Sequence, residues 1–269
     1  MPYTLKEIQQ TLLKHVVIQD DEYHLWCGGE RMRSPSSIIS KLCPFPLYRV
    51  SENCAKTQDP ENKYYGKSAE EIRWGWQENA QAAALRGRLN DTFMQNLWHG
   101  LKTEHLPIDN DVKIGALDFY NKFHEKLTVL GSECVIAYPK IGLAGRADML
   151  CAMKFDNQIS GLIIIDWKTN TSDILSTKQR MAKPANKFYK NVIDKASIQL
   201  AIYKLILEEG YGLHVSAVRT VLLGDKCNEL DNELEKLETA YSRGDNWISF
   251  DSTIGIDNDG IEDLFKACF

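Results

Sequence analysis

The chain has 269 residues, of which 43% are hydrophobic and 26% charged, with a formal net charge of −5. That composition suits a globular chain able to bury a core, and it excludes a low-complexity tract or a protein basic enough to coat nucleic acid in bulk. No apolar run approaches the roughly 20 residues that cross a bilayer, and the opening MPYTLKEIQQ lacks the charged-then-apolar pattern of a signal peptide, so a cytoplasmic protein without a membrane partner is expected.

Thr4-Leu5-Lys6-Glu7 is a capping-box pattern that opens a short helix to about His15. VVIQ, YHLWC and RMRS follow, with the turn signal Cys27-Gly28-Gly29-Glu30, and read as small strands with a hairpin. Residues 35–47 predict a short helix closed by Pro44 and Pro46, and 51–67 a polar loop. Ser68 to Glu71 is a second capping signal, opening a helix to about His99 that is interrupted or loosened near Gly87. A further helix covers about Asp111–Leu127. Trp74, Trp76 and Phe93 are read as core residues.

The texture then changes. ECVIAY, GLAGRADMLCAMKF and GLIIIDWKT predict three consecutive strands, the last two joined across Asp156-Asn157-Gln158. A loop of about twenty residues leads to a helix over Asp194–Glu209, a strand over Val215–Leu223, and an acidic helix from about Asn228 to Ser242. The expected fold is α/β, a mixed sheet flanked by helices behind a mostly helical N-terminal region. Residues 1–130 form that region, with its small hairpin packed on the core, and residues 131–269 form the core. The seven cysteines include no CxxC pair. They read as reduced thiols, several of them buried.

GLIIIDWKTN (Gly161–Asn170) carries four apolar residues in a row and then Asp166 and Lys168, two apart and therefore on one face of the strand. A turn near Asn157 puts Asp148 and Asp166 nine residues either side of it, and so side by side on neighbouring strands. Two carboxylates about 4 Å apart repel by roughly 4 kcal/mol at an effective dielectric of 20. One lysine offsets part of this. A divalent cation offsets it fully, and oxygen donors suit Mg²⁺ or Mn²⁺.

Asp148, then Asp166-x-Lys168 at the end of an apolar strand, then Gln199-x-x-x-Tyr203 on the next helix, resembles the PD-(D/E)XK nuclease superfamily. Its RecB-like exonuclease branch, which includes phage and mitochondrial genome-maintenance exonucleases, is the nearer likeness, over about residues 86–223. The resemblance implies a restriction-endonuclease-like fold and a metal-dependent DNA nuclease, an exonuclease more than an endonuclease, serving recombination, repair or phage DNA metabolism. It places a phage-encoded version in the host cytoplasm. It also implies that Asp148 and Asp166 bind the metal, that the Trp167 carbonyl adds a ligand, and that Lys168 polarises the attacking water. Gln199 and Tyr203 would hold the lysine–metal centre and contact the substrate strand. Glu133 stands where relatives often carry a glutamate, or else pairs with a nearby base.

Relatives carry Gly-Thr-x-x-His on the preceding helix, within the stretch matched here by helix 68–99. Here Arg86-Gly87-Arg88-Leu89-Asn90-Asp91 stands in its place. Asp91 is either a hard-metal ligand replacing the histidine or a surface acid. The cysteines of iron–sulfur members are missing, so no cluster is expected.

From Ile174 to Ile193 the chain has no residue of negative charge before Asp194, whereas Lys178, Arg180, Lys183, Lys187 and Lys190 are basic and Phe188 and Tyr189 lie among them. This loop joins the strand of Lys168 to the helix of Gln199, so a grip on DNA, as a single strand or a duplex end, is expected there, with Arg86 and Arg88 adding to it. The bland alternative is a solvated loop whose aromatics pack on the core. A protein partner in recombination or replication is compatible with the chain, and oligomeric state is not encoded legibly. The competing function is a nuclease-fold module that binds nucleic acid or protein without cutting.

Overall fold

The computed structural model describes residues 3–155, 158–169, 179–224, 227, 230, 234, 241–244, 246–252 and 260–261. Helix α1 (Leu5–Leu12) starts at the expected capping box, with Glu7 N–H donating to Thr4 Oγ1 and Thr4 N–H to Glu7 Oε2. Strands β1 (Val17–Gln19), β2 (Leu25–Cys27) and β3 (Glu30–Arg31) form a small antiparallel meander. Its tight turn uses Gly28 and Gly29, both at positive φ, where a side chain would be strained.

Helix α2 (Pro35–Leu42) is capped by Ser34 and has proline at its first position. The expected polar loop over 51–67 is corrected: Leu47–Ala55 is helix α3, which follows Pro46 directly. Helix α4 (Ala69–Trp98) begins at the Ser68/Glu71 capping box and runs without a break through Gly87, correcting the interruption expected there. Strong helix formers on both sides of the glycine (QENAQAAALR before it) outweigh its cost of about 1 kcal/mol. Residues 77–86 are exposed on every face, so mid-helix stands clear of the body while both ends are packed.

Helix α5 (Asn110–Phe123) precedes strand β4 (Leu127–Tyr138), which takes up residues expected to end the helix. Strands β5 (Leu143–Phe155) and β6 (Gln158–Lys168) complete an antiparallel trio. Helix α6 (Val192–Leu205), extended by a π turn over Ile206–Gly210, crosses to β7 (Val215–Leu223), which runs parallel to β6. Strands β8 (Tyr241–Gly244) and β9 (Trp247–Asp251), which the sequence did not announce, finish a six-stranded mixed sheet of order β4-β5-β6-β7-β9-β8. Most of the expected acidic helix after Asn228 lies outside the described residues, and its last two positions, Tyr241 and Ser242, are strand.

Each face of the sheet is covered by helices. On one, Ile8, Ile38 and Leu42 from the N-terminal helices meet Leu150, Leu162 and Ile164 from the sheet and Ile198 and Ile202 from α6. On the other, Phe93, Met94 and Phe119 pack on Met149, Ile163, Ile165 and Trp167. The N-terminal region therefore shares the core, and a boundary at residue 130 falls inside β4. Among the described residues no helix is long and apolar enough to cross a membrane. Among the described residues no disulfide joins the cysteines, and Cys27, Cys151 and Cys227 are buried.

Candidate active site

Residues 161–167 of β6 are buried on both faces, which is why the strand is apolar until it nears the sheet's edge. Alternation sends Trp167 into the α4–α5 layer, edge-on to Phe119 with centroids 5.4 Å apart. Asp166 and Lys168 thereby face the opposite layer, toward α6. The β5–β6 pairing runs Met149↔Ile165, Leu150↔Ile164, so its next step sets Asp148 opposite Asp166, as the sequence symmetry about Asn157 required. Asp156 and Asn157 themselves lie outside the described residues. Asp148 Oδ2 accepts a hydrogen bond from the Trp167 N–H at 2.9 Å, which locks the acid to the strand end.

Asp166 is 1% exposed, and Lys168 Nζ lies 2.5 Å from its Oδ2. Neither carboxylate oxygen has a well-directed hydrogen bond, and Oδ1 has no partner of any kind among the described residues. A buried carboxylate in that position is costly. Burial, then the charge of Asp166, pushes the Asp148 carboxyl well above the usual carboxylate range. Burial alone would push the Lys168 ammonium down, but Asp166, Asp148 and Asp91 together outweigh it and hold it above its ordinary value. Lys168 is thus a fixed cation at neutral pH.

Asp91 comes from the other layer. Asn90 Nδ2 donates to Thr169 Oγ1 at 3.0 Å, pinning α4 to the end of β6, and the next residue is carried to the cluster. Burial first, then Glu133, raises the Asp91 carboxyl to about 6, with Asp166 adding and Lys168 opposing. The surface-acid alternative for Asp91 is therefore corrected: it is a partly buried member of the carboxylate group. Glu133 does pair with a base, Arg146 Nη1 at 3.3 Å, while also lying within electrostatic reach of Asp91. Its φ of 50° is uncommon for a residue with a side chain.

Gln199 and Tyr203 lie one turn apart on α6. Gln199 Nε2 donates to Tyr203 Oη at 3.1 Å, and Tyr203 Oη donates to the Arg146 carbonyl at 2.6 Å. Burial, opposed by Gln199 and assisted by Asp148, Asp166 and Glu133, raises the phenol further, so it stays protonated. This pair braces β5 two residues from Asp148. Beside it lies a cavity of about 640 Å³ lined by Arg31, Arg33, Arg146 and Ser37 as well as Gln199 and Tyr203, with no acidic residue in its wall among the described residues. Arg31, Arg33 and Asn90 carry no sequence signal of these roles: RMRS reads only as a strand, and Asn90 only as part of the helical stretch Arg86–Asp91.

The basic loop is ordered differently from a loose phosphate grip. Arg180 lies over the Tyr189 ring at 4.1 Å and donates to its hydroxyl at 2.8 Å, so this pair is engaged with itself. Phe188 packs on the core, as the bland alternative held for it. Lys183 and Lys187 are exposed, and Lys190 reaches the Pro44 carbonyl at 3.3 Å. Lys178 lies outside the described residues. Arg86 and Arg88 are exposed on α4, one turn and less from Asp91. Phe93 is core, but Trp74 is 66% exposed and Trp76 only half-buried, which corrects the reading of both as core.

Three carboxylates against one ammonium leave a surplus of negative charge, and the donors are hard oxygens, so donor chemistry and the orphaned Asp166 Oδ1 both fit a divalent cation. Among the described residues, no three acidic, histidine or cysteine side chains already stand as a ready cage. No model of a known protein family matches the chain, and no curated protein matches it.

The raised acids give a pH signature. Between about pH 4, where an unfolded aspartate ionises, and about 6, where folded Asp91 does, the native state holds a proton that the unfolded chain has lost. The stabilisation is present below about pH 4 and is lost as pH rises through about 6. Asp91→Asn should therefore raise the unfolding temperature of metal-free protein at pH 7.5, by roughly 1–2 kcal/mol or several degrees after discounting for partial exposure. At pH 4 it should change little. Scanning calorimetry at the two pH values checks this; an equal shift at both would mean that charge is not the cause.

Proposed function

We propose that the protein is a metal-dependent DNA nuclease that hydrolyses phosphodiester bonds, working as an exonuclease. The observation that carries the reading is the shared strand end: Asp148, Asp166 and Lys168 on one face, with a buried carboxylate oxygen that has no hydrogen-bond partner among the described residues. Asp148 and Asp166 would hold Mg²⁺ or Mn²⁺, with the Trp167 carbonyl and Asp91 as further oxygen donors and Glu133 at the rim. Such an ion supplies positive charge at the phosphoryl oxygens and makes water acidic enough to attack at neutral pH.

The chain's own residues do the remaining work. Lys168, a permanent cation, donates to oxygens on which negative charge grows and orients the attacking water. Gln199 and Tyr203 keep β5, and hence Asp148, in register through the Arg146 carbonyl. The arginine-lined cavity next to them suits phosphates of the bound strand. The exonuclease preference and a role in recombination, repair or phage DNA metabolism rest on the Gln199-x-x-x-Tyr203 likeness alone.

The test is incubation with linear and circular DNA. Linear DNA should be degraded to nucleotides with Mg²⁺ or Mn²⁺, stop with EDTA, and circular DNA should be spared. Protein that binds DNA yet cuts nothing with either metal would favour the binding-only module.

A further inference from the structure

Two clefts on the α2–α3–α4 side of the molecule share the ring of Phe45. The first, of about 1030 Å³, is lined by Arg49, Lys190 and Lys195 and, among the described residues, by no acidic one. The second, of about 740 Å³, lies between α3 and α4, with Tyr48, Trp74 and Trp76 in its wall. Phe45, Tyr48 and Trp74 are 62%, 68% and 66% exposed, a concentration of open aromatic surface that a lone folded chain has no reason to keep.

Two of these three rings are also held in place. Trp76 lies edge-on to Phe45 at 5.8 Å and to Tyr64 at 6.0 Å, and its N–H donates to the Tyr64 hydroxyl at 2.8 Å. The Arg73 guanidinium lies 5.0 Å from the centre of the Tyr48 ring and donates to Ser51 Oγ at 2.9 Å. Glu70 and Arg73 also line the aromatic cleft, so its net charge is balanced, while the charges described in the neighbouring groove are all positive. Open aromatic faces next to such a groove are what an unpaired strand needs: charge for its backbone and π-faces for bases that have no partner. A duplex keeps its base faces stacked inside and gains only from the charge.

The cleft is tied to the carboxylate centre through two shared helices. Lys195 precedes Gln199 by one turn on the same face of α6. Trp74 and Asp91 share α4, seventeen residues or about 26 Å apart, a span that takes the four or so nucleotides of a short single-strand site.

We propose that this two-part cleft binds single-stranded nucleic acid, with phosphates on Arg49, Lys190 and Lys195 and successive bases stacked on Phe45, Tyr48 and Trp74. The assignment deepens the nuclease reading by naming the form of its substrate, but its test needs no cleavage. Fluorescence anisotropy of a labelled twelve-nucleotide oligothymidine is measured with the full chain in EDTA, beside a blunt duplex of equal length.

Wild type should bind the single strand at least tenfold more tightly than the duplex, with quenching of tryptophan emission. Trp74→Ala should lose about tenfold in affinity and part of the quenching, and Trp74→Phe should recover most of the affinity. Arg49→Glu with Lys195→Glu should weaken binding and flatten its salt dependence. Unchanged affinity in both the Trp74→Ala and the charge-reversed proteins overturns the proposal, as does equal wild-type affinity for duplex. So does a Trp74→Ala protein that binds DNA normally but has fallen from an oligomer to a monomer in light scattering, since the rings then cover a second copy. Cleavage by wild type in Mg²⁺ scores the nuclease reading separately: loss of one leaves the other standing.

Discussion

Lys168→Ala should give a folded protein whose DNA cleavage is reduced by about 10³-fold, the effect of deleting a pre-positioned donor to a charge-accumulating oxygen. Lys168 Nζ sits 2.5 Å from Asp166 Oδ2 and keeps its proton through the pull of three carboxylates. Among the described residues no other basic side chain forms an ion pair with Asp166, so none replaces it. Removing it also leaves Asp166 buried without its cation, which should cost metal-free protein roughly 3 kcal/mol. Mg²⁺ should then raise the unfolding temperature of Lys168→Ala more than that of wild type. A steady-state assay on end-labelled DNA, with circular dichroism and thermal scans on the same samples, checks both halves. A variant that cuts at the wild-type rate would reduce Lys168 to an ordinary ion-pair partner.

Gly145→Ala should lower stability by about 1–3 kcal/mol, a fall of several degrees in unfolding temperature, and disturb the site as well. Gly145 lies on β5 beneath α6. A Cβ there would stand 2.5 Å from Tyr203 Cε1 and 2.9 Å from Pro35 Cδ. Both neighbours are rings that cannot swing aside, so β5 must part from α6 or α2. Parting strains the Tyr203 hydrogen bond to the Arg146 carbonyl, one residue further on, and shifts Asp148 after it. The expected pattern is loss of stability together with a weaker metal response. Unfolding within a degree of wild type would show that β5 and α6 are looser than this packing implies.

The candidate centre was legible in the sequence because strand geometry is local. Alternation put Asp166 and Lys168 on one face, and the near-symmetry of the hairpin about Asn157 paired Asp148 with Asp166. Gln199 and Tyr203 followed from helical spacing. Asp91 was legible only as a choice, because its environment depends on the Asn90–Thr169 bond between layers 79 residues apart in the chain.

Other features depended on contacts that no periodicity announces. Trp74 and Trp76 look like core because large aromatics usually are, yet the middle of α4 stands away from the body and its start packs on α3 and the flanking Phe45 and Tyr64 rather than on the sheet. Leu47–Ala55 follows two prolines and looked polar, but it folds as a helix because its residues close on α4. Strands β8 and β9 are short, and β9 is held by long-range pairing to β7 and by Trp247 packing on Phe119. Arg180 and Tyr189, expected to grip DNA, are held against each other by a contact that the sequence does not announce.

Anomalous diffraction from crystals soaked in Mn²⁺ would decide whether a doubly charged ion belongs between these two acids. A manganese peak flanked by the carboxylates of Asp148 and Asp166, lost in Asp166→Asn, is the expected outcome. Manganese bound only elsewhere, or a peak that persists at full height in Asp166→Asn, would leave the strand end a salt bridge and take the nuclease reading with it.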